Sequence, residues 1–280
     1  MTTTTDWAET PVAWPVLTRA ELYAQGWTWR LIDDAVRVGR LHRARRDAYL
    51  PGGVDQRTRA AAEVGGQLAC LSELARRGVF VLDGHRLHVV LHPRRGRRRN
   101  VHDDARVHWS GTGARNLANA SVVESLAQSI RCQGPVEAIA TLDSALHMRL
   151  IEEPELVEVF ERVPPRYGVL LDMLDATAEA GSESIMRILL RKLGCRVQCQ
   201  VRIVGVGRVD LLVDGWLIIE CDSREHHSSW AQQKEDRRRD QAAAALGFVT
   251  YRPIAEDIFW HREQVVAAVR GLLGSVAAVR

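Results

Sequence analysis

The chain has 280 residues, 46% hydrophobic and 26% charged, a soluble globular composition of about two domains' length that excludes a disordered, collagenous or fibrous chain. Thirty-eight basic residues against 35 acidic ones leave a formal net charge of +3, which does not by itself mark a nucleic-acid binder. Among the cations only Lys192 and Lys234 are lysines, and arginine supplies every other basic side chain.

Residues 1–16 are Thr-rich, carry Pro11 and Pro15, and read as a tail that Trp7 and Trp14 anchor to a domain surface. From Leu17 the pattern changes. Thr18 with Glu21 three residues later makes a capping box for a short helix ending near Gly26. Thr28 caps a second helix on which Leu31, Ile32, Ala35 and Val36 keep helical spacing, and Gly39 stops it. Residues 41–50 read as two extended pieces around an Arg-rich turn. Two short helices followed by a β-wing predict a winged helix-turn-helix over 17–53, with Arg30 and Arg37 on the second helix in the major groove and Arg43, Arg45 and Arg46 on the wing reaching phosphates. Asp33 and Asp34 on that helix weaken a phosphate grip but are able to accept from cytosine N4. Leu17, Thr18, Arg19, Gly39, Arg40, Leu41, Arg43 and Tyr49 resemble the N-terminal winged helix of abortive-infection type IV antitoxins.

Residues 54–180 predict a helical and hairpin middle module. Helices are expected at 56–64 and 68–77, then a pair of strands at 86–91 and 101–109. Between these strands lie Arg94, Arg95, Arg97, Arg98 and Arg99, a phosphate-contacting arm or a solvated turn. His85, His88, His92, His102 and His108 sit in or beside the strands, but on a two-residue period they do not converge on one ligand set and no cysteine accompanies them, so they read as exposed strand and turn histidines. Apolar-periodic helices follow at 121–131, 135–148, 154–161 and 167–178.

From Ser182 the order is α-β-β-β-α-β-α: a helix at 182–193, strands at 196–203, 208–213 and 216–221, a charged helix at 230–246, a strand at 248–252 and a helix at 263–273. Asp210 and Glu220 fall on adjacent apolar strands, where burying carboxylates is costly unless they are paired or bind a cation. A two-residue turn at Asp214-Gly215 puts these carboxylates on opposite faces; a shared site needs a three-residue loop or a bulge that pairs 210 with 220. In that register Asp222 joins the same face.

The run GRVDLLVDGWLIIECDSREHH with KEDRRRDQAAAALGFVTYRP resembles the PD-(D/E)XK, restriction-endonuclease-like fold, and in particular domains related to very-short-patch-repair endonucleases. Matching positions are Glu183, Asp210, Glu220, Asp222, His226 or His227, Asp236, Arg237, Arg239, Asp240, Gly247 and Phe248. The fold class implied is α/β (α+β multidomain), with the nuclease-like domain over 181–280. The segment from Pro135 to His147 also recurs in such composite chains. Two departures stand out: Asp222 occupies the place of the nuclease fold's lysine, and Ser223 stands where the family usually has glycine.

The resemblance implies phosphodiester hydrolysis of double-stranded DNA, with Asp210, Glu220 and Glu183 holding Mg²⁺ or Mn²⁺. Lys234, Arg237 or Arg238 would supply the missing cation, His226 or His227 would act as general acid or base, and Asp236, Arg237 and Asp240 would support the hairpin. The alternatives are a non-catalytic DNA-binding regulator or antitoxin, with a cognate toxin or self-association as its contact, and an RNA nuclease. The absence of a basic-then-apolar leader and the five unpaired cysteines predict a cytoplasmic protein. No run of roughly 18 apolar residues predicts a membrane span.

Overall fold

A computed structural model describes residues 13–93, 104–111, 116–221 and 230–277. Across them the chain is a mixed α/β protein of α+β type, with three separate sheets of two, three and four strands. It divides into two units: the described residues of 1–79, 83–132 and 153–165, and those of 80–82, 133–152 and 166–280. The stretch 54–180 is therefore shared between both units.

In the first unit α1 (Arg19–Ala24) carries the reciprocal cap expected: the Thr18 hydroxyl accepts from the Glu21 N–H, and the Glu21 carboxylate accepts from the Thr18 N–H. Thr28 caps α2 (Trp29–Arg37), and Gly39 at φ 76° turns the chain out of it. β1 (Leu41–Arg45) and β2 (Ala48–Pro51) pair antiparallel. Leu22, Ile32, Ala35, Leu41 and Tyr49 close the core between helices and hairpin. The segment read as a tail is structured from residue 13: Trp14 is buried against Leu50, Val54 and Ala118, and its N–H donates to Asn119.

α3 (Gln56–Val64), β3 (Gln67–Leu68), α4 (Cys70–Arg76), β4 (His88–Leu91), β5 (Arg106–Trp109) and α5 (Val122–Cys132) follow. The expected hairpin of 86–91 and 101–109 is corrected here, because β4 and β5 run parallel, with His88 opposite Arg106 and Val90 opposite His108. Alternation of apolar residues specifies a strand but not its direction. The intervening chain exceeds the dozen or so residues that a parallel return needs. Beyond α5 come α6 (Pro135–His147), in the second unit, and α7 (Glu153–Glu161), which packs on α5 in the first. Within α4, fully buried Glu73 is satisfied by Arg76, Arg77 and Asn119.

The second unit takes α8 (Gly181–Lys192), β6 (Val197–Ile203), β7 (Gly207–Val213), β8 (Leu217–Ile219), α9 (Trp230–Ala245), β9 (Val249–Tyr251), α10 (Ala255–Trp260) and α11 (Arg262–Ala277). Its sheet order is β6-β7-β8-β9; the first two pairings are antiparallel, and β8 and β9 are parallel on either side of α9. Val209, Leu212, Ile218 and Ala243 close the core between sheet and α9. The helix expected at 167–178 is instead a 3-10 stretch, Pro165–Met173, and α10 was not foreseen. α8 packs on α6 and α10, where Arg187 and Asp143, both fully buried, meet at 2.6 Å. A second Arg187 nitrogen donates to the Met173 carbonyl. A Cβ at Gly181 would run into the Phe80 ring, so glycine is required for that approach. Among the described residues no helix is long and apolar enough to cross a membrane.

Candidate functional site

The β7-β8 connection decides which carboxylates share a face. Val213 pairs with Leu217, Leu212 with Ile218 and Leu211 with Ile219, so the loop has three residues, Asp214-Gly215-Trp216. Asp214 and Gly215 take positive φ, 50° and 78°. One step further along this register Asp210 stands across from Glu220, on one face of the sheet.

Glu220 is buried and Asp210 half-buried, and the Cys221 N–H donates to Asp210 Oδ2 at 2.8 Å. Glu183, from the first turn of α8, is buried beside them; its Oε2 accepts from Gln200 at 2.8 Å and from the Glu179 N–H at 3.0 Å. Burial pushes Glu183 up to about 7, against the Gln200 hydrogen bond and with the charge of Asp210 adding to it. Burial, then the charge of Asp210, pushes Glu220 up to about 7. The charge of Asp210 therefore reaches both buried glutamates.

Two residues that carry no expected role complete it, Gln200 and the family-matched Arg239. Gln200 takes φ 54° inside β6, between the pairs Cys199–Leu211 and Val201–Val209, which places it beside Asp210. Its amide nitrogen donates to Glu183, while its Oε1 is buried without a hydrogen-bond partner. Arg239 on α9 donates to Glu220 Oε1 at 3.0 Å and to the Arg208 carbonyl at 2.6 Å.

Lys234, expected near the carboxylates, is exposed and lies over the Trp230 ring at 5.9 Å, with Arg237 over the same ring at 5.6 Å. Arg238 is likewise exposed. Helix phase explains the correction: at about 100° per residue, Lys234 falls about half a turn from Ala243, which packs against the sheet, whereas Arg239 falls within about 40° of it. That phase was readable in the sequence once Ala243 was taken as core. Asp240 pairs with Arg252, just past β9, at 2.9 Å, a supporting contact, and Asp236 is half-buried on the same helix. Asp222, His226 and His227 lie outside the described residues, as do Arg94, Arg95, Arg97, Arg98 and Arg99.

On the first unit Arg30, Arg43 and Arg46 are exposed, with Arg30 over the Trp29 ring. Arg37 is paired with Asp34. Arg45, at the end of β1, is half-buried, with its guanidinium beside Gly65 at the end of α3.

The histidine reading is also corrected. His85 is exposed as expected, but His88 and His108 are buried on the sheet beside Cys70 and Cys132. Cys132 is drawn well below the ordinary thiol range, first by the hydrogen bond from Cys70 and then by those from His108 and His88, against burial. Among the described residues this is the one group of three or more such ligand atoms within 4.8 Å of one another. The carboxylates of the second unit are coupled by charge at longer range.

No protein family, curated protein or solved structure matches the chain.

Proposed function

We propose that the second unit is a Mg²⁺-dependent phosphodiesterase acting on double-stranded DNA. The observation that carries this reading is that the buried Glu183 and Glu220 both feel the charge of Asp210, while Gln200, bonded to Glu183, keeps a buried Oε1 without a hydrogen-bond partner. Four oxygen donors with excess negative charge fit a hard divalent cation. Asp210, Glu220 and Glu183 would hold it, with Mn²⁺ as a substitute, and when bound it would polarise the phosphate and acidify a water. Arg239 holds Glu220 in place and brings a fixed positive charge to the site edge, the role first sought in Lys234. Asp222, His226 and His227 keep the roles that the nuclease resemblance implies. In the first unit, Arg30, Arg43 and Arg46 are the exposed cations for backbone phosphates.

A second reading is a DNA-binding regulator or antitoxin that retains the fold without cutting. It is favoured by the Arg239–Glu220 ion pair, which occupies an oxygen a cation would use, and by Asp222 in place of a lysine. Supercoiled plasmid incubated with the full chain and Mg²⁺ separates the two. Nicking that vanishes in Asp210→Ala and in Glu220→Ala, by about a hundredfold or more, establishes the enzyme. DNA that is retarded on a gel but intact under Mg²⁺ and Mn²⁺ establishes the regulator.

A further inference from the structure

Cys70 opens α4, His88 opens β4, His108 lies within β5 and Cys132 ends α5. The parallel register sets His88 opposite Arg106 and His108 opposite Val90, so the two histidines fall two residues apart on the same face of the sheet. α4 and α5 pack on each other and bring their cysteines to that face. All four ligand atoms lie within 4.8 Å of one another.

We propose that these four residues form a closed, structural Zn²⁺ site. A tetrahedron with Zn–S bonds of about 2.3 Å and Zn–N bonds of about 2.05 Å separates two nitrogens by about 3.3 Å and a sulfur from a nitrogen by about 3.6 Å. His88 Nδ1 and His108 Nε2 are 3.2 Å apart, and Cys132 Sγ is 3.7 Å from His108 Nε2. These two separations are nearly those of the metal complex, and every other pair of ligand atoms lies within 4.8 Å.

Charge and burial agree with the geometry. Two thiolates cancel the two charges of Zn²⁺ and two imidazoles stay neutral, so the loaded site carries no net charge into the interior and avoids the cost of a buried ion. Cys70 is fully buried, His88 and His108 are buried, and Cys132 is half-buried. Four protein ligands of nitrogen and sulfur leave no open position, which marks a structural site. Cys70 adopts φ 51°, a left-handed conformation for a residue with a side chain; holding it there points the α4 start at the other ligands and costs backbone energy that bound metal would offset. Loading displaces the two thiol protons to solvent and involves no redox change. Four separate elements of the first unit would be tied at one point.

The test uses the full chain purified under reducing conditions, with elemental analysis of bound metal. About one zinc per chain is expected, retained in Asp210→Ala and lost in Cys132→Ser and His108→Gln. Exchange of the unmodified chain into Co²⁺ should give thiolate-to-cobalt charge-transfer bands and intense tetrahedral ligand-field bands; this reading stands even if the variants fail to fold. A chain that takes up no zinc when refolded with excess Zn²⁺, a weak octahedral Co²⁺ spectrum, or full zinc retention in a folded His108→Gln/Cys132→Ser double variant overturns the proposal.

Discussion

The two units gather polar groups in opposite ways. In the first, four soft or borderline donors arrive from four elements and can satisfy one another, with S–H and N–H groups shared between sulfur and nitrogen. In the second, three carboxylates arrive from α8, β7 and the end of β8, and their charges oppose one another. A self-satisfying cluster needs little from its surroundings, while a repelling one has to be braced. The bracing is visible: Arg239 and Gln200 bond two of the carboxylates directly, and the Arg187–Asp143 pair fixes the helix that carries Glu183.

The largest effect should come from that last brace. Arg187→Met leaves Asp143 charged in a fully buried position and should cost about 3–5 kcal/mol, read as lost amide-exchange protection in β6, β7 and β8 during denaturant titration. The double variant Asp143→Leu/Arg187→Met removes both charges and should recover most of the loss. A single-variant cost below about 1 kcal/mol would mean that α8 is held by apolar packing alone and that the contrast between the units is overstated.

Legibility in the sequence follows the same division. The carboxylates could be found because Asp210 and Glu220 belong to neighbouring strands joined by a short Asp-Gly loop, where register follows from loop length. Glu183 was reached only through the nuclease resemblance, since a carboxylate in the first turn of a helix is favoured by the macrodipole alone. The Cys/His cluster was hidden because its ligands are each separated by many residues and converge only through a parallel β4-β5 pairing, which alternation does not specify. Arg239 was hidden differently: it stood within a recognised helix pattern, but its role depends on which face of α9 meets the sheet. Gln200 gave no signal, since nothing in its neighbours announces a positive φ inside a strand.

A smaller effect sharpens the claim that repulsion governs the second unit. Gln200→Glu would add a fourth carboxylate beside Glu183 and exchange a donated hydrogen bond for a like charge. Without divalent cation the variant should lose about 1–3 kcal/mol. With rising Mg²⁺ its melting temperature should climb more steeply than that of the unaltered chain, because each added acidic donor raises the affinity of the folded state for the ion. Parallel Mg²⁺ responses in the two proteins would remove Gln200 from the donor set.

The smallest effect concerns the loop that sets the register. Gly215 at φ 78° has no atom within 4 Å of a built Cβ, so Gly215→Ala meets no clash and should cost only the backbone penalty of a left-handed alanine, about 1 kcal/mol. Asp214, also at positive φ, behaves differently because its Oδ1 accepts from the Arg196 N–H at 3.0 Å. Asp214→Gly would relieve backbone strain and lose that bond, and the two nearly cancel. Thermal melts should therefore show Gly215→Ala clearly lowered and Asp214→Gly within a few tenths of a kcal/mol of the parent. If Asp214→Gly instead stabilises by the full strain, the Arg196 bond contributes nothing, and the loop holds Asp210 opposite Glu220 by chain geometry alone.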